Sequence, residues 1–233
     1  MTVKPTWVAA AAFGLLLLAV PAFWPNYLAR WRSAESYTHA HAALGLAWLL
    51  VLVAQPLLIH ARKAAAHRIV GRVALALSAA FVVAGLLLAH RGIVRMSEEE
   101  LRREGFTLYL PLVMTAIYAA AVGGGWAWRK VPALHGRFMA CTLLPLLDPV
   151  FARLVYFYLP PPPAEWLFQM PAFTLSAVVV LLLARQVPGP AAGRQSFRVF
   201  AGGAIVALAL YFATPYSSSW LAFVAWFRSL PVT

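Results

Sequence analysis

The sequence predicts an all-α fold, a polytopic membrane helix bundle with seven transmembrane helices. Three observations carry this prediction. The 233 residues are 63% hydrophobic, with a mean hydropathy of +0.77. Only 11% are charged, against roughly 25% in an ordinary soluble domain. The 19 Lys and Arg and 7 Asp and Glu stand between apolar runs rather than along them. A soluble globular chain is excluded. The net charge of +12 reads as a positive-inside signal with attraction to anionic lipid, and not as a nucleic-acid surface. The single cysteine, Cys141, allows neither an intrachain disulfide nor a cysteine-based metal site.

About 20 apolar residues cross the hydrocarbon core of a bilayer, and seven runs are of that order. The first, Trp7 to Trp24, is too long and too poor in a small-residue cleavage pattern for a signal peptide, so it is read as a helix. The second, His39 to Ile59, and the third, Ile69 to Ala89, flank the basic stretch His60-Ala61-Arg62-Lys63. Thr107 to Trp128 is the fourth, Leu134 to Leu159 the fifth, Ala164 to Ala184 the sixth and Val199 to Tyr216 the seventh. Between the third and fourth, Ser97 precedes Glu98, Glu99 and Glu100. A serine oxygen there can take an orphan amide and the acids suit the helix dipole, which predicts a short surface helix over 97–104. Pro160 to Pro163 cannot continue a helix and make a stiff turn before the sixth run. Residues 217–233 hold Trp220 and Trp226 in a stretch too short to span, so this segment is expected at the interface. Connections are short and no internal repeat appears, which makes 1–233 one integral membrane domain.

Orientation follows from the cations. Eleven Lys and Arg (Lys4, Arg62, Lys63, Arg68, Arg72, Arg129, Lys130, Arg137, Arg185, Arg194, Arg198) fall on the side of the N-terminus and seven on the other, where glutamates offset them. The N-terminus is therefore expected in the cytoplasm, and the chain in the cytoplasmic (inner) membrane.

The polar residues inside or beside the spans are the candidates for function. His39, His41 and His90 fall at outer span ends, and His60, His67 and His135 at cytoplasmic ends. At 100° per residue His41, Gly45, Trp48 and Gln55 share one face of the second span, and His67, Gly71, Ser78 and Gly85 share one face of the third. His135 and Arg153, eighteen residues apart and so a whole number of turns, share a face of the fifth, while Asp148 points about 140° away. A glycine one turn beyond His41 and beyond His67 leaves a notch of the kind a haem ring needs, although small residues also simply let helices approach. Arg68, Arg72 and Arg137 add guanidinium groups that can hold haem propionates or lipid head groups. His39, His41, His90 and Asp148 offer imidazole and carboxylate donors that suit zinc, iron or copper, with the His39 and His41 rings about 200° apart on a helix. Asp148 and Arg153 are intramembrane ionisable groups, costly there and so expected to be functional.

This string of motifs resembles a family of bacterial predicted membrane proteins of unknown function. The matching elements are His41 with Gly45, Gln55, then His67-Arg68-Ile69-Val70-Gly71-Arg72, then His135-Gly136-Arg137-Phe138-Met139 and Arg153. The resemblance covers residues 39–159. Gly136, Phe138 and Cys141 stand where that pattern has Arg, Trp and Arg. Histidines at both faces of a bundle are also similar to transmembrane di-haem cytochromes, whose ligands come from four helices, whereas the fourth span here has no histidine.

The leading expectation is a membrane redox protein that binds b-type haem, or another histidine-held metal, and passes electrons to a quinone or a redox partner, as a single chain or a homodimer. Its candidate ligands are His41 and His90 on the outer side and His67 and His135 on the inner side, with Arg68, Arg72 and Arg137 for propionates. The alternatives are a metal-dependent membrane hydrolase or lipid-modifying enzyme at the outer histidines and Asp148, or a transporter whose path is lined by Gln55, Asp148 and Arg153.

Overall fold

The structure is a computed structural model that describes residues 4–160 and 168–233, and the side chains of residues 102–106 lie outside that description. It is all-helical among those residues. The helices are α1 (Pro5–Phe23), α2 (Ser36–His60), α3 (Ala64–Val94), α4 (Glu98–Glu104), α5 (Tyr109–Ala127), α6 (Pro132–Cys141), α7 (Leu144–Tyr158), α8 (Met170–Arg185), α9 (Ala191–Ala209) and α10 (Ser218–Arg228). Six helical segments are long and apolar enough to cross a membrane: α1, α2, α3, α5, α6 with α7, and α9 with the turns that follow it to Tyr216. α8 has 16 residues, about 24 Å at 1.5 Å per residue. The Ala164 to Leu167 part of the sixth predicted run, and all but the first of the four prolines, lie outside the described residues.

Short connections make sequential helices neighbours. α2 packs on α1 and α3, α5 on α3 and α6, α7 on α1 and α8, and α9 on α8 and α5. One apolar core joins Leu15, Trp48, Leu52, Phe81, Tyr118 and Val150, and a second joins Leu134, Phe138, Val180 and Phe197. Glycine lets helices meet closely: a Cβ on Gly124 would collide with the Phe138 ring, and one on Gly193 with Leu134. Large apolar side chains such as Leu17, Ile69, Val73, Leu182 and Val199 remain exposed, the outward face expected of helices solvated by lipid.

Two local features differ from the prediction. The fifth predicted span is two helices, broken at Thr142 and Leu143. Pro145, in the first turn of α7, has no N–H to give back to the preceding turn, and the Thr142 hydroxyl donates to the Met139 carbonyl at 2.7 Å instead. Both halves pack on α5, α6 also on α9, and α7 also on α1 and α8; His135 meets the Gly125 carbonyl of α5, and Arg153 the Phe23 ring of α1. Residues Leu28–Ser33 add a 3-10 turn between α1 and α2. Behind Ser97, α4 starts with a reciprocal capping box: the Glu100 amide donates to Ser97 Oγ at 3.2 Å and the Ser97 amide to Glu100 Oε2 at 2.7 Å. α10 folds back on the end of α3, where Val224 meets Ile93 and Leu108.

Candidate functional site

Two groups of polar side chains emerge, one at the start of α3 and α6 and one between α2 and α7. In the first, the His67 and His135 rings lie 6.2 Å apart, centroid to centroid, nearly perpendicular at 88°. Each sits in the opening turns of its helix, so both rings stand at the same end of the bundle. His135 Nδ1 is 2.8 Å from the Gly125 carbonyl. A carbonyl only accepts, so Nδ1 carries the proton and Nε2 keeps its lone pair. That is the arrangement in which a backbone oxygen orients a metal-binding imidazole. His67 Nδ1 is buried with no hydrogen-bond partner among the described residues. Its backbone carbonyl accepts from Gln55 Nε2 at 3.2 Å. Met139, one turn beyond His135, rests its sulfur on Gly125, where a Cβ would lie 2.5 Å from Sδ.

The arginines expected around this pair divide. Arg68 and Arg72 are exposed on α3. Arg137 turns away. It is 2% exposed and donates to the carbonyls of Ala133 (3.2 Å), Leu183 (3.2 Å) and Gln186 (3.0 Å), closing the end of α8. Its guanidinium is thus committed to helix-end carbonyls, and the expected propionate role is corrected to a structural one.

The expected outer metal site is not assembled. His39 meets Tyr27, whose hydroxyl is 3.0 Å from Nδ1, and Trp31 at 4.4 Å. His41 faces the other way, stacked on Phe81 at 4.8 Å with Gly85 and Thr115 beside it. The 200° between them on one helix decides this. His90, five residues past Gly85 and so about 140° round α3, is buried against Phe227, with Nδ1 2.6 Å from Thr233 Oγ1. No group of three or more His, Cys, Asp or Glu side chains able to hold a metal exists among the described residues.

Both glycine notches proposed for haem contain side chains. Phe81 lies 3.3 Å from a Cβ built on Gly45, and Gln55 Nε2 lies 3.5 Å from one built on Gly71. A macrocycle therefore does not fit those notches in this packing. The inner pair brings two imidazoles to 6.2 Å, centroid to centroid.

Other polar contacts were not anticipated from sequence. Glu35 accepts from Arg91 Nε (3.3 Å) and Nη2 (3.2 Å) and also pairs with Arg95. The signal was available: Arg91 and Arg95 are one turn apart on α3. Trp48 Nε1 donates to Thr142 Oγ1 at 3.3 Å across the core.

By helix length and apolar composition the chain is a polytopic integral membrane protein. Comparison with protein-family models, with curated proteins and with solved structures gives no match.

Proposed function

We propose that this is a membrane redox protein that holds one metal ion between His67 and His135. The carrying observation is the pair itself: two imidazoles at 6.2 Å, one with its tautomer set by the Gly125 carbonyl. Imidazole suits zinc, copper and iron, and of these only copper and iron change oxidation state. The bound ion supplies a one-electron couple. The chain would contribute the orientation of His135 through the Gly125 carbonyl, and the exchanging partner would be a quinone or a redox protein.

In this proposal the chain crosses the bacterial inner membrane seven times with α8 as one of the spans, its N-terminus in the cytoplasm and anionic lipid against Arg68 and Arg72. The His-Arg-x-x-Gly-Arg element shared with the family it resembles then marks the cytoplasmic mouth of the site. Metal analysis and an absorption spectrum of the purified full chain test the idea. Copper or iron near one per chain, lost in His67→Ala and in His135→Ala, is the expected result. A Soret band would replace the ion by haem and require the notches to open. Neither metal nor haem after expression under replete conditions would end the redox reading.

A further inference from the structure

Among the ionisable side chains that keep a buried polar atom unsatisfied by the described residues are three on α2 and α7: His41 (Nδ1), Asp148 (Oδ1) and Arg153 (Nε). Buried polar groups are paired in at least nine cases of ten, so these orphans need a reason. Arg153 lies within electrostatic reach of both His41 and Asp148, yet no ion pair joins it to Asp148, and Asp148, 7% exposed, keeps its Oδ1 without a hydrogen bond among the described residues. The Arg153 guanidinium sits over the Phe23 ring at 4.6 Å and donates to the Pro149 carbonyl at 2.9 Å. His41 is stacked on Phe81.

The neighbouring elements bring little that could neutralise the group. α1 has no ionisable residue in its length and α8 none before Arg185. α5 brings Tyr118, whose hydroxyl is also unsatisfied by geometry. α3 offers His67, Arg68 and Arg72 at its other end, and His90 and Arg91 turned to α10 and Glu35. Arginine keeps its charge, so an ionised Asp148 balances it and a neutral His41 leaves the group at zero. One added proton, on the carboxylate or the imidazole, takes it to +1. Phe23 and Phe81 cover Arg153 and His41, which leaves little space for a larger ligand. Ionisable side chains inside membrane spans are rare and mark ion paths and proton relays, and here Asp148 has, among the described residues, no closed ion pair that would give it a purely structural role.

We infer that His41, Asp148 and Arg153 form a proton-binding site inside the bundle, one that takes up and releases a single proton independently of the metal proposed at His67 and His135. His41 lies in the second turn of α2, near the start of that helix.

Asp148 is the only aspartate in the chain, so carboxyl-13C aspartate labels it without mutation. The test is infrared difference spectroscopy of the full labelled chain in phosphatidylcholine liposomes, titrated over pH. A protonated-carboxyl band that titrates and shifts with the label is expected. It should vanish in Asp148→Asn, and Arg153→Gln should tighten proton binding at least tenfold, because a fixed cation near the carboxylate is gone. The site is overturned if no label-sensitive carboxyl band titrates in the unmutated chain. It is equally overturned if the midpoint ignores both Arg153→Gln and His41→Gln, since Asp148 would then be an isolated carboxyl. The label supplies the answer even where a variant fails to insert.

Discussion

Arg137 illustrates at single-residue scale what a buried guanidinium needs: acceptors for its forked N–H groups, here the carbonyls of Ala133, Leu183 and Gln186. Hydrogen bonds from a charged donor contribute about 1.5–3 kcal/mol each at most, and stranded carbonyls add their own desolvation cost. Arg137→Met should therefore lower stability by about 2–4 kcal/mol, read as a drop in the thermal midpoint of the detergent-solubilised protein. Arg137→Lys should recover little, because one ammonium cannot reproduce the fork. Adjacent glycines on α5 offer a sharper contrast. A Cβ on Gly124 meets Phe138 Cδ1 at 2.5 Å, while one on Gly123 meets nothing within 4 Å. Gly124→Ala is expected to cost about 1–3 kcal/mol through overpacking. Gly123→Ala should be neutral or slightly stabilising, because it only restricts the unfolded chain. Equal effects at the two sites would contradict the α5–α6 packing.

At the scale of elements, the informative places are those where a helix starts or stops. α4 is seven residues long and holds its start through the reciprocal bonds of Ser97 and Glu100. Ser97→Ala should cost about 1 kcal/mol and speed amide exchange at residues 98–101, leaving the exchange of α2 and α5 unchanged. The break before α7 matters more for the site. The prediction that His135 and Arg153 share a face assumed an unbroken helix, and Pro145 with Thr142 interrupts it. α6 therefore presents His135 to α3 and α5, while α7 carries Arg153 to Phe23 of α1.

For the whole molecule, the testable property is orientation. Cys141 is fully buried, so a single introduced cysteine reports without background. Lys63→Cys is expected to react with a membrane-impermeant maleimide only after cells are permeabilised, and Ser33→Cys to react in intact cells. The reverse pattern would invert the proposed topology and place the inner histidine pair outside. What could be read from sequence is what depends on neighbours along the chain. Apolar length and the spacing of charges predict seven spans, and six helical segments of the structure are long and apolar enough to cross a membrane, because an apolar helix satisfies its own backbone hydrogen bonds wherever it lies. The surface helix behind Ser97 is legible for the same reason, its cap being three residues from its partner. Which polar groups meet was decided only by tertiary structure. His67 and His135 are 68 positions apart and come together because α3 and α6 both pack on α5, whereas His39, His41 and His90, close in pattern, are turned apart by the angular step of their helices. Single-sequence periodicity gives the face of a residue on its own helix, but the rotation of each helix against its neighbours is set by packing. Phe81 in the Gly45 notch, Gln55 in the Gly71 notch and Phe138 on Gly124 are the contacts that set it here.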